Sequence, residues 1–365
     1  MSDLQQIPTN ASSGRGRGKP RTGVPVPLAK LVRAQGLHLT KPEALTITRR
    51  RHGRGFAYYD ADGVRLRDSA TVSRLASLAV PPAYINVRYA EDPAAHLQAI
   101  GEDAAGRLQY RYHPAWEKVR EQRKARRLMR LVEVLPRIRR CVAQHLSTGS
   151  ATRECVLAAV IELVARSAIR AGSEDYARLH GTRGAATLLK SNVTTDGEKV
   201  TLSFRAKGGK AVRKEFAAPL LVPVLERLRE LPGRRLFQYR DEAGRIHMVT
   251  ARAVNVFLRE IAGGVMISLK DFRTLLASAA VLETLARLEP AGSQRQRRRQ
   301  VLDAVRKAAE DLANTPAICR RSYVHASVVT AFEEGVLESF ADTLKRSRSA
   351  TRREQLLTRI MTIAA

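Results

Sequence analysis

Apolar residues recur every three or four positions over Glu117 to Arg140, Glu154 to Arg170, Val222 to Leu231, Ala251 to Ile261 and Lys270 to Leu288. That spacing gathers them on one side of a 3.6-residue helix, so the chain past Trp116 reads as mainly helical. One interruption falls at 187–216. There Val200, Leu202 and Phe204 alternate with Thr201 and Ser203, the period of a strand with one buried face. Asp196-Gly197 and Lys207-Gly208-Gly209-Lys210 are turn sequences. They predict a small antiparallel sheet of Asn192 to Thr195, Val200 to Phe204 and Ala211 to Phe216, with Lys207 at an exposed hairpin tip.

Before Trp116 the pattern is β-rich. Phe56 to Asp60 reads as a strand, Ala61-Asp62-Gly63 as a turn and Val64 to Arg67 as the returning strand. A short helix over Thr71 to Leu78 must stop at Pro81-Pro82, because proline lacks the amide that would continue it. Ile85 to Tyr89 is extended, and His96 to Ile100 pairs with Leu108 to Tyr112 across Asp103-Ala104-Ala105-Gly106. Residues 1–40 hold few large apolar groups and the run Gly14-Arg15-Gly16-Arg17-Gly18-Lys19-Pro20-Arg21, a composition that does not repay ordering entropy. The expected organisation is a disordered basic tail over 1–40, a β-rich N-terminal domain over 41–116, a helical domain over 117–342 and a basic C-terminal helix over 343–365. In that last helix Leu356, Leu357, Ile360 and Met361 form a thin apolar stripe expected to pack back on the preceding domain. The fold class is α+β.

Charge narrows the choice of partner. Among 365 residues, 64 Lys+Arg stand against 35 Asp+Glu, a formal charge of +29. Such an excess favours nucleic acid as the partner, since counterion release turns it into a nonspecific DNA affinity. A membrane-surface role would instead concentrate the charge on amphipathic helices, and no apolar run approaches a membrane span. The N-terminus lacks the apolar core of a signal peptide, so the expectation is a cytoplasmic, nucleoid-associated protein. Cys141, Cys155 and Cys319 show neither disulfide nor metal spacing, and the histidines form no cluster with them. No cofactor or metal is expected. There is no dinucleotide-binding glycine fingerprint and no Walker-type loop.

Candidate chemistry centres on Asn314-Thr315-Pro316-Ala317-Ile318-Cys319-Arg320-Arg321-Ser322-Tyr323-Val324. Thr315 reads as an N-cap and Pro316 as the first helical residue, which puts Tyr323 about two turns along a helix with a defined start. Taken singly, each neighbouring feature has an ordinary explanation. Arg170 at the end of an apolar helix complements the helix dipole. Ser268 and Asp271 make a capping box that leaves Lys270 and Arg273 in the first turn. Lys207 is a turn lysine.

Taken together and in order, five segments change the reading: Leu78-Ala79-Val80-Pro81-Pro82-Ala83-Tyr84, Gly106 to His113, Ile169 to Tyr176, Lys270-Asp271-Phe272-Arg273-Thr274, and Asn314 to Val324. Over residues 45–340 the chain resembles the type IB DNA topoisomerases of the small poxvirus and bacterial kind. The resemblance implies a DNA breaking-rejoining fold with Tyr323 as nucleophile and Arg170, Lys207, Arg273 and Asn314 around the scissile phosphate. It implies relaxation of supercoiled duplex DNA through a 3′-phosphotyrosyl intermediate, without ATP or metal, by a monomer whose two domains clamp the duplex.

Each residue type suits such chemistry. Two guanidiniums bind the charge that grows on nonbridging oxygens, and a lysine near other cations is a suitable proton donor to the leaving 5′-oxygen. Asn314, where some relatives have histidine, keeps a hydrogen-bond donor but no titratable group. Ala206 stands where relatives often have glycine. Gln109, Tyr110, Tyr112 and Lys270 align with DNA-contact positions. A tyrosine recombinase would share the nucleophile and two arginines, yet would carry His-x-x-Arg near Arg273 and Gly-His before the tyrosine. Here those places hold Lys270-Asp271-Phe272-Arg273 and Ala313-Asn314. An architectural DNA-binding protein would explain the charge but not the ordered segments.

Overall fold

The structure, a computed structural model, describes residues 27–346 and 349–363. The glycine-arginine run near the N-terminus lies outside them. The chain divides into two compact units, Met1–Val119 and Arg120–Ala365.

The first unit opens with helix α1 (Leu28–Arg33), whose Leu31 and Val32 are buried with Leu37, Trp116 and Val119. Residues 27–40 are therefore not part of a disordered tail. Leu28, Leu31 and Val32 supply enough apolar surface to dock a single turn-and-a-half on the indole. Five strands follow, β1 (Ile47–His52), β2 (Gly55–Tyr59), then after helix α2 (Ser69–Ser77) β3 (Ile85–Tyr89), β4 (Leu97–Glu102) and β5 (Leu108–Tyr112). They form one sheet in the order β2-β1-β3-β4-β5, every neighbouring pair antiparallel. The partner of Phe56 to Tyr59 is the arginine-rich β1 and not Val64 to Arg67, which contributes a single bridge between Tyr59 and Arg65. On β1, Arg49 donates to the carbonyls of Val80, Pro81 and Tyr84 and lies 4.0 Å from the Phe56 ring centroid, so its stem and head both find a place. Asp68 caps α2 by accepting from the Thr71 amide at 2.8 Å.

Helix α3 (Trp116–Leu146) begins in the first unit and runs into the second. The second unit is built around α4 (Arg153–Ser167), which is buried along almost its whole length from Cys155 to Val164. A helix apolar on every side needs neighbours all round. They include α6 (Val222–Glu230), α7 (Ala251–Ile261), α8 (Leu269–Leu285) and the three-stranded sheet of β6 (Val193–Asp196), β7 (Lys199–Arg205) and β8 (Ala211–Ala217), with α5 (Glu174–His180) preceding that sheet. The sheet order is β6-β7-β8, and Val200, Leu202 and Phe204 are buried as their alternation requires. A two-stranded ribbon, β9 (Gln238–Arg240) with β10 (Ile246–Met248), follows α6 in sequence. The chain closes with α9 (Gln294–Asp311), α10 (Pro316–Ser322), α11 (Ala326–Glu333), α12 (Glu338–Arg346) and α13 (Ala350–Ile363).

The C-terminal stretch is thus two helices where one was expected. Leu357, Ile360 and Met361 of α13 are buried in the common core, and Glu354 takes both terminal nitrogens of Arg139, at 3.0 and 2.6 Å. Among the described residues no helix is long and apolar enough to cross a membrane.

Candidate active site

Three of the residues singled out in the sequence stand where helices stop, and a fourth, Arg273, joins two of those ends. Helix α4 ends at Ser167 with Ala168 left-handed at φ 54°, so Arg170 stands in the loop beyond the helix and not on its last turn. The Arg170 carbonyl accepts from the Ala185 amide and the Ala171 carbonyl from the Ala186 amide, both at 2.8 Å. Gly184 makes this docking possible. A Cβ there would lie 2.6 Å from both the Arg170 carbonyl and the Gly172 amide. Helix α9 ends similarly, with Ala313 at φ 49° and Asn314 next to it.

Arg273, in the first turns of α8, joins these two ends. It is only 3% exposed, and its guanidinium donates to the carbonyls of Ala168 and Leu312. Each carbonyl belongs to the residue that caps its helix, where unpaired oxygens and the negative dipole end attract a cation. Arg170 in turn donates through Nη2 to Oδ1 of Asn314. Two donors stay buried without a hydrogen-bond partner, Nε of Arg273 and Nδ2 of Asn314. Buried polar atoms are nearly always paired, so two together mark a place arranged for something other than stability.

Tyr323 completes the group. Thr315 caps α10 by accepting from Ile318 N at 3.3 Å, and Pro316 is its first residue, but the helix closes at Ser322 and Tyr323 is its C-cap. Ser278 of α8 donates from Oγ to the Tyr323 carbonyl and accepts from the His325 amide, both at 3.1 Å, which pins the backbone on each side of Val324. The ring is 9% exposed, with the Arg273 guanidinium 4.8 Å and the Lys270 ammonium 5.9 Å from its centroid. Burial raises the phenol pKa, but the charge and hydrogen bonding of Arg273, then the charges of Arg170 and Lys270, outweigh it and bring the phenol below its ordinary value. Lys270 is exposed and Asp271 caps α8 in the expected box.

Lys207 lies at the tip of the β7–β8 hairpin, its ammonium 4.4 Å from the Tyr176 ring centroid. Among the described residues no hydrogen bond or ring contact joins it to Arg170, Arg273, Asn314 or Tyr323. The three DNA-contact candidates on β5 divide between its two faces. Tyr110 and Tyr112 are 44% and 41% exposed and stack at 6.2 Å, and Tyr112 continues the stack onto Trp116 at 5.7 Å. Gln109 alternates to the other face, where it donates to Asp103 at 2.9 Å. Gly184 and Ser278 escaped the sequence reading. Neither has a local signature, since each acts on a backbone far away in the chain.

Comparison with known proteins gives three matches. The family model described as the catalytic core of eukaryotic DNA topoisomerase I matches residues 113–350. That described as the N-terminal domain of bacterial DNA topoisomerase IB matches residues 55–103. The DNA topoisomerase 1B of Acanthamoeba polyphaga mimivirus is 29% identical over 285 residues, which cover 76% of this chain and 84% of the viral protein.

Proposed function

Because the chain belongs to the type IB DNA topoisomerase family, we propose that it relaxes supercoiled duplex DNA by cutting and resealing one strand through Tyr323. The observation that carries this reading is the buried arrangement of Arg273 beside the Tyr323 ring, with Arg170 on Asn314 and two donors left unpaired.

In this reading the Tyr323 oxygen attacks a backbone phosphorus. Its bond to phosphorus forms as the bond to the 5′-oxygen breaks, which leaves a 3′-phosphotyrosyl enzyme and a free 5′-hydroxyl. A lowered phenol pKa increases the fraction of phenolate available for attack. Negative charge builds on the nonbridging oxygens in the five-coordinate state, where forked guanidiniums and an amide donor act most strongly because they are already in place. Arg170, Arg273 and Nδ2 of Asn314 supply those donors. They are shielded in the free enzyme, and contacts of this kind commonly tighten only when substrate is bound.

The departing 5′-alkoxide is far more basic than a phenolate and needs a proton. Lys207 provides it and takes it back on religation, the hairpin tip carrying the ammonium to the phosphate from its resting place on Tyr176. Bond energy is kept in the phosphotyrosyl link, so the cycle requires neither ATP nor a metal ion. Tyr110, Tyr112 and Lys270 would contact the duplex, the first two presenting hydroxyls from one strand face.

The test is plasmid relaxation in EDTA without ATP, with parallel reactions quenched in detergent to trap the covalent adduct. Wild-type enzyme should relax the plasmid and yield an adduct at Tyr323. The Tyr323→Phe variant should bind DNA and do neither. An adduct on another residue, or an absolute need for metal, overturns the proposal.

A further inference from the structure

Strand β8 breaks its own pattern. Register pairs Val200 with Phe216, Leu202 with Lys214 and Phe204 with Val212, so Lys214 occupies the row whose other members face the core. A lysine is rarely placed inward unless its charge is answered. Lys214 lines one small cavity with Arg170, Arg273, Asp311 and Ala313. Burial disfavours its ammonium, while the Asp311 carboxylate favours it and Arg273 opposes it.

Three cations thereby meet one short segment. Lys214 shares its cavity with Asp311, whose carboxylate favours its charge, Arg273 Nη2 donates to the Leu312 carbonyl at 3.1 Å, and Arg170 donates to Asn314 Oδ1. Between them Ala313 keeps a left-handed backbone at φ 49°. Such a conformation is unfavourable for a residue with a Cβ and lasts only where the surroundings over-determine it. The only one of the three cations without a place in the proposed chemistry is Lys214.

We propose that Lys214 is a positioning residue, which through Asp311 holds the 311–314 turn so that the Asn314 amide faces the scissile phosphate. This rests on the function proposed above. It adds a second task to the β7–β8 hairpin, whose tip bears Lys207 and whose inner face would anchor the residue on the opposite side of the phosphate. The Lys214 side chain takes no part in bond making.

The experiment compares single-turnover cleavage and DNA affinity for Lys214→Met, Lys214→Arg, Asp311→Asn and Asn314→Ala, alone and combined. Methionine suits an apolar row, so Lys214→Met should fold. It should slow cleavage by about 10- to 100-fold, the scale of a misplaced reacting group, with affinity changed less than about 2-fold. Arg at 214 should restore most of the rate, and Asp311→Asn should resemble Lys214→Met. In the Asn314→Ala background the Lys214→Met penalty should shrink to about 2-fold or less, because contacts in one network are not additive. With Lys207→Ala it should persist.

A full-sized penalty in the Asn314→Ala background overturns the proposal, and so does an unchanged rate. A rate loss matched by a salt-dependent loss of affinity overturns it as well and makes Lys214 a DNA contact. Wild-type enzyme run alongside separates this outcome from failure of the underlying reading, since absence of any Tyr323 adduct would count against the latter alone.

Discussion

At Tyr323 burial and charge pull in opposite directions, and charge prevails because three cations converge on one buried phenol. Two residues later the balance is reversed. His325 is buried, its Nδ1 accepts from the Ser327 amide to cap α11, its Nε2 has no partner, and burial followed by repulsion from Lys124 lowers its pKa from 6.5 to about 4. Between those values the unfolded chain binds a proton that the folded one refuses. Stability is therefore full above about pH 6.5 and is lost as the pH falls towards about 4, by up to about 3 kcal/mol. Urea unfolding at pH 7 and pH 4.5 should show this loss. His325→Asn, which keeps a capping oxygen and removes the titration, should flatten it.

The elements that carry the site meet at their ends. Helices α4 and α9 both stop in a left-handed alanine, and Arg273 of α8 bonds the last carbonyls of both. Placement of Arg170 then depends on backbone contact with residues 184–186. Gly184→Ala would force a Cβ to within 2.6 Å of main-chain atoms that have no room to retreat. Its expected effect is a loss of about 100-fold in single-turnover cleavage, typical of a reacting group displaced by about an ångström. DNA affinity should stay close to wild type, and a parallel thermal melt would report any general loss of fold. Retention of full cleavage would show that Arg170 is placed by something else.

For the whole molecule the governing quantity is the formal charge of +29. If six or more phosphates are neutralised, affinity for duplex DNA should fall by about 10³-fold or more between 50 and 200 mM salt, with little dependence on sequence. A shallow slope in a filter-binding or anisotropy titration would refute that electrostatic footprint.

Periodicity and turn chemistry were enough to determine α3, α4, α6, α7 and α8, the β7–β8 hairpin and the capped start of α10, because those depend on residues close in sequence. Ordered motifs were enough to indicate the family, and they nominated Arg170, Arg273, Asn314 and Tyr323 as candidates that the fold gathers in one place. Tertiary structure alone decided that β1 pairs with β2, that residues 27–40 dock on Trp116, that Tyr323 falls at a helix end, that Gly184 and Ser278 brace the backbone beside the candidate residues, and that Lys214 lines a cavity with Arg170 and Arg273. Each of those depends on atoms distant in sequence brought within a few ångströms, where packing and charge override the preference of any single segment.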